Sequence, residues 1–211
     1  MARTEHPMRA DAARNRDRIL AGARQMITQH GSEVPMGDLA HAAGVAVGTL
    51  YRHFPTKAEL VDAVLDDHIE QLTQAVEASW ERVHGGQSRA MDEIRANITD
   101  FVESAAHNQA IKAAAARFGS NRYDEQQLAR TLAATENLIH AAQQDGDMHP
   151  DITLDDFQLL FTTVPFNQPP ERRARWVALF LAGFSTAGRT PSDERTPKPE
   201  QPTPGDMVSE H

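Results

Sequence analysis

Apolar side chains recur at helical spacing along most of the chain. Ile19, Leu20, Ala23, Met26 and Ile27 share one face of a helix predicted over about residues 13–30, which Gly31 ends. A short helix over about 36–43, with Met36, Leu39, Ala40 and Ala43 inside, runs up to Gly44. A second short helix over about 47–53 stops before Pro55, because the residue preceding a proline is pushed out of the helical region. Thr56 and Glu59 form a capping box. It opens a helix to about residue 83 with Leu60, Val64, Ile69, Leu72, Val76 and Val83 as its stripe. At 1.5 Å per residue that helix is about 40 Å long, enough to belong to two bodies.

The periodicity continues beyond Gly85-Gly86. Met91, Ile94, Ile98, Phe101, Val102 and Ala105 predict a helix over about 88–106, followed by an alanine-rich segment over about 109–118. Leu128, Leu132, Leu138, Ile139 and Ala142 mark another, over 124–145. A second capping box, Thr153 to Asp156, leads into Phe157, Leu159, Leu160, Phe161 and Val164. Pro169-Pro170 preset the first turn of a last helix with Trp176, Leu179, Phe180, Leu181 and Phe184. Two segments lack the pattern. Residues 1–12 are polar and read as a flexible arm. Residues 189–211 hold five prolines and read as a disordered tail. The fold class is all-α: residues 13–65 form a small N-terminal domain and residues 66–188 a larger helical one.

Composition agrees, with abundant alanine and few β-branched runs. The absence of cysteine excludes disulfides, thiol catalysis and cysteine-ligated zinc or iron–sulfur sites. No run approaches the roughly 20 apolar residues of a membrane span, and no signal peptide opens the chain. A cytoplasmic protein without a membrane partner is expected. The net charge of −9 is unevenly distributed. Met1 to Lys57 carries eight Lys and Arg against five acids, a net of +3, which leaves −12 for the remainder. A basic end on an acidic body suggests contact with nucleic acid through that end.

Residues 36–57 read helix, glycine turn, short helix, proline, capping box, which is the helix-turn-helix arrangement. Gly44 supplies the left-handed backbone of the turn. Val45 and Leu50 point inwards, and Leu50 and Phe54 belong to the core. Val47, Gly48, Thr49, Tyr51, Arg52 and His53 are presented outwards. The small residues at the start of the second helix allow a close approach to DNA, with Thr49 and Tyr51 in reach of base edges or phosphates.

The segment GVAVGTLYRHFPTKAEL, residues 44–60, resembles the helix-turn-helix of TetR-family transcriptional regulators. The resemblance covers about residues 14–65. It implies an all-α homodimer, with a DNA-binding domain on a larger ligand-binding and dimerisation domain. It places Thr49 and Tyr51 at DNA-contact positions with His53 beside them, and Lys57 where the family sets a helix-start lysine on a phosphate. Two positions depart from the pattern. Ala46 replaces a capping serine, a loss of about 1 kcal/mol, and Gly37 offers no side chain to a base or phosphate.

Candidate chemistry elsewhere is sparse. Asn97, Phe101, His107, Phe118 and Tyr123 are candidate pocket residues for a small-molecule effector of unspecified chemistry, against a plain structural role for each. His107, His140 and His149 lack metal-ligand spacing, so no metal and no cofactor is expected. Asp66-Asp67 and Asp155-Asp156 read as helix-surface or capping acids. With no phosphate loop or nucleophile elbow, the chain does not read as an enzyme. The last two helices are apolar on more than one face, which requires burial beyond their own subunit. Phe157, Leu160, Phe161, Trp176, Phe180 and Phe184 are therefore expected at an isologous dimer interface. The leading reading is a homodimeric repressor on a palindromic operator, released by a small molecule. A regulator without an effector, controlled by a protein partner, and an interaction protein with a vestigial helix-turn-helix are the competing readings.

Overall fold

A computed structural model of the chain describes residues 5–118 and 124–187, with backbone alone at 5–10 and His107. The described residues form helices α1 (Glu5–His30), α2 (Met36–Ala42), α3 (Val47–His53), α4 (Lys57–His84) and α5 (Ala90–His107). These are followed by α6 (Gln109–Arg117), α7 (Glu125–Gln144), α8 (Leu154–Thr162) and α9 (Pro170–Phe184). The fold is all-α. One isolated bridge, Met148 to Ser185, ties the loop after α7 to the end of α9. The tail at 189–211 lies outside the described residues.

The expected arm is corrected: α1 begins at Glu5, not near residue 13. Around the expected start, Asp11, Ala12, Ala13 and Arg14 are all exposed, so no buried apolar side chain there marks the helix in the pattern. Pro7 is tolerated because it sits in the first turn.

Capping chemistry sets several helix starts. Thr56 Oγ1 accepts from the Glu59 amide at 3.2 Å, and Thr153 with Asp156 completes both halves of a capping box. Asp124 caps α7 by accepting from the amides of Gln126 and Gln127. Gly31, Gly44, Gly86 and Gly146 take positive φ where helices or turns end.

Two apolar cores result. The head core joins Ile19, Leu20, Ala23 and Ile27 of α1 to Leu39, Leu50, Phe54, Leu60 and Val64. The body core joins Ile94 and Ile98 of α5 to Leu138, Phe157, Leu160, Val177 and Leu181. Helix α4 serves both: Leu60 to Val64 in the head, Val76, Trp80 and Val83 against the body. Its other buried side chains are polar: His68 and Thr73 between those stretches, and Ser79 within the second. Helix α6 crosses the expected domain boundary, since Ile111, Ala114 and Ala115 lie in the head core. Arg117 at its end forms an ion pair with Glu33.

Candidate nucleic-acid interface

The head is built so that α3 is held from behind. Val45 packs against the head core from the turn, and Leu50 and Phe54 are buried in it. Gly44 has φ +63°, a conformation that suits glycine, and its carbonyl oxygen accepts from Arg18 Nη2 at 2.6 Å. Gly22 lets the end of α2 lie directly on α1: a Cβ there would stand 2.8 Å from the Ala43 amide nitrogen. The crossing of α1 and α2 is therefore fixed by backbone approach as well as by side-chain burial.

The outward face matches the expected side chains. Val47 and Tyr51 are each 47% exposed, Thr49 is half-buried, and Arg52 is exposed. Gly48 has open space where a Cβ would be. His53 is half-buried, with its ring 6.3 Å from that of Phe54. Ala46 gives the start of α3 no side-chain cap. Gly37 is exposed with open space around it.

Lys57 differs from the sequence reading. Its Nζ donates to the Val34 carbonyl oxygen at 2.5 Å, and burial pulls its pKa below the usual lysine value. A lysine in a first helical turn opposes the helix dipole, and here a carbonyl 23 residues upstream already compensates it. An ammonium has three donors, so two protons remain for a phosphate.

Arg18 and Arg16 were not singled out from sequence. Arg18 ties α1 to the helix-turn-helix turn, and the Arg16 guanidinium sits 5.8 Å from the Phe54 ring centroid. The basic run of α1 was the available signal, but charge alone does not say which arginine turns inwards.

The expected effector residues are not brought together. Asn97 Oδ1 accepts from Ser79 Oγ at 3.2 Å, inside the bundle. Phe101 packs edge-on against Phe161 at 4.5 Å. Phe118 is exposed at the end of α6. The His107 side chain and Tyr123 lie outside what is described. Asp67, read as a surface acid, instead accepts from Arg24 Nη2 at 2.5 Å and joins α4 to α1.

The expected interface residues divide. Phe157, Leu160 and Phe184 are buried within their own subunit, so they are core side chains. Phe161, Trp176 and Phe180 are half-buried. Leu159 and Leu179, at 60% and 56% exposure, complete the open apolar face, though neither was among the expected interface residues. Trp176, Leu179, Phe180 and Gly183 line a shallow groove there.

Comparison with known proteins agrees with this geometry. The profile of bacterial regulatory proteins of the tetR family matches residues 19–64. That of the transcriptional regulator SbtR-like C-terminal domain matches residues 94–186. The crystal structure of a TetR transcription regulatory protein from Mycobacterium vanbaalenii superposes with a TM-score of 0.69 at 30% identity, covering 85% of this chain and 99% of that one. That of the TetR transcriptional regulator SCO0520 from Streptomyces coelicolor gives 0.66 at 25% identity, covering 81% and 98%. The HTH-type transcriptional regulator SAR0097 of Staphylococcus aureus is 29% identical over 126 residues, 53% of this chain and 65% of its own length. The chain thus matches less than two thirds of that curated relative.

Proposed function

Because the chain belongs to the tetR family of bacterial regulatory proteins, and is a DNA-binding transcriptional regulator rather than an enzyme, we propose that it acts as a homodimeric repressor of a palindromic operator, released by a small molecule. Each protomer lays α3 in the major groove. Thr49 and Tyr51 meet base edges or phosphates, Val47, Gly48, Arg52 and His53 flank them, and Lys57 shares its ammonium with a phosphate. The observation that carries this reading is the division of α3 itself. Leu50 is fully buried while its neighbour Tyr51 is half exposed, so reading and support fall on opposite faces.

Dimerisation is supported by the open apolar face of α8 and α9, where Leu159 and Leu179 find no cover among the described residues. A second copy, related by a two-fold axis, covers it and sets the two α3 helices about 34–36 Å apart. Release is supported by α4, which runs through both cores, and by α6, which belongs to the body in sequence but to the head core in space. A ligand that favours one body conformation shifts the spacing of the heads, and the coupling is reciprocal.

The test is selection of a duplex from random DNA, followed by titration of salt. The wild type should prefer the selected palindrome over random duplex by about a thousandfold or more. Thr49→Ala should lower specific binding more than non-specific binding, whereas Lys57→Ala should weaken both and reduce the salt slope by about one. No enrichment of a palindrome would remove the repressor reading, and an unchanged salt slope would remove the phosphate role of Lys57.

A further inference from the structure

The loop between α1 and α2 is short and pinned at both ends. Gly31 closes α1 with φ +77°, and the Pro35 carbonyl oxygen starts α2 by accepting from the Asp38 and Leu39 amides. Ser32, Glu33 and Val34 lie between. A residue before proline is kept out of the helical region, so Pro35 narrows the directions open to the Val34 carbonyl.

Both α6 and α4 take hold of this loop. The Val34 side chain is buried in the head core, the same core that receives Ile111, Ala114 and Ala115 of α6. Glu33 beside it is exposed, and its carboxylate accepts from Arg117 Nη1 at the end of α6. That nitrogen also reaches Ser32 Oγ at 3.4 Å. From the other side, Lys57 Nζ at the start of α4 donates to the Val34 carbonyl oxygen at 2.5 Å. Burial alone sets the direction of the Lys57 pKa, below the usual lysine value, and no carboxylate offsets it. The Val34 carbonyl is thus the group that decides where this ammonium points.

We propose that Arg117 is a positioning residue for DNA binding: its ion pair with Glu33 holds the loop so that the Val34 carbonyl aims the Lys57 ammonium at a backbone phosphate. The assignment rests on the phosphate role of Lys57 proposed above. Loss of either Arg117 or Glu33 unclasps the loop and lets the carbonyl, and the lysine with it, turn away. An ion pair this exposed adds little to stability, so the effect falls on the phosphate contact rather than on the fold. Helix α6 thereby reaches DNA within a single head, with no change in the spacing of two heads.

Anisotropy titration of a random-sequence duplex over a range of salt tests the positioning, with Glu33→Gln, Arg117→Gln and Lys57→Ala made singly and in pairs. In the wild-type background Lys57→Ala should weaken binding about fivefold at low salt and lower the salt slope by about one. In the Glu33→Gln or Arg117→Gln background the same change should cost less than about twofold, at near wild-type melting temperature. Glu33→Gln separates position from plain charge. Removing a negative group should tighten binding to a polyanion, whereas losing the clasp weakens it. Tighter binding by Glu33→Gln, or a Lys57→Ala cost that is equal in all three backgrounds, overturns the positioning role and leaves the phosphate role of Lys57 standing. A wild-type salt slope for Lys57→Ala alone removes that phosphate role, and the positioning falls with it.

Discussion

Tyr51 stands half out of the head while Leu50 beside it is completely enclosed. Removing either side chain should therefore fail in a different way. Tyr51→Ala should cost operator affinity and leave the melting temperature in place, whereas Leu50→Ala should cost about 2–5 kcal/mol of stability as well. Parallel thermal melts and DNA titrations distinguish them, and equal destabilisation by both would contradict the two-faced reading. These positions were legible because the turn glycine and the short helix fix which residues alternate. Lys57 was only half legible, since nothing local to it announces the Val34 carbonyl. The pair of buried Glu93 with the more open Arg82, at 2.6 Å, was not legible at all, because its partners lie on separate helices. The Arg82 hydrogen bonds lower the Glu93 pKa to about 2. A carboxylate with a depressed folded-state value stabilises the fold above its ordinary value of 4.5 and loses that contribution as pH falls towards 2. The stability gap between the wild type and Glu93→Gln, measured by denaturant melts, should be full at pH 6 and shrink steadily from pH 5 to pH 3. A gap that widens on acidification would contradict the pairing.

Helix periods found the elements, and contacts between helices decided how they are used. Helix α1 was read short because Asp11 to Arg14 are exposed and carry no apolar stripe, and α6 was read as part of the body because sequence order says nothing about which core receives Ile111, Ala114 and Ala115. The crossing of α1 and α2 depends on Gly22. Replacing it with alanine raises intrinsic helix propensity by about 1 kcal/mol. The new Cβ would nevertheless lie 2.8 Å from the Ala43 nitrogen and 2.9 Å from its Cα, both rigid backbone atoms. Gly22→Ala should consequently lower the melting temperature and weaken operator binding, because α2 must shift and α3 moves with it. A melting temperature raised by the substitution would show that the crossing has slack.

Over the whole molecule, two apolar cores are threaded by one helix, with polar side chains at its waist and an apolar face left open on the body. That the last two helices carry excess apolar surface was legible. Which residues supply it was not, because Phe157 and Leu160 turn into the subunit while Leu159 and Leu179 turn out, a distinction that needs the packing of α5 and α7 beneath them. A charge on the open face should separate subunits without disturbing the fold. Leu179→Glu is expected to give a folded monomer by light scattering, with operator affinity falling to that of a single head; a tight-binding dimer would put the interface elsewhere. The central claim is that two copies of α3 read two half-sites on one face of the duplex. It is tested most directly by sedimentation of the protein with its selected palindrome, intact and with five base pairs inserted at the centre. Half-sites about one helical turn apart present the same face, and half a turn more rotates one of them away. The account predicts two protomers on the intact palindrome and an affinity reduced to the half-site level by the insertion. A single protomer at saturation, or equal affinity for both duplexes, would contradict it.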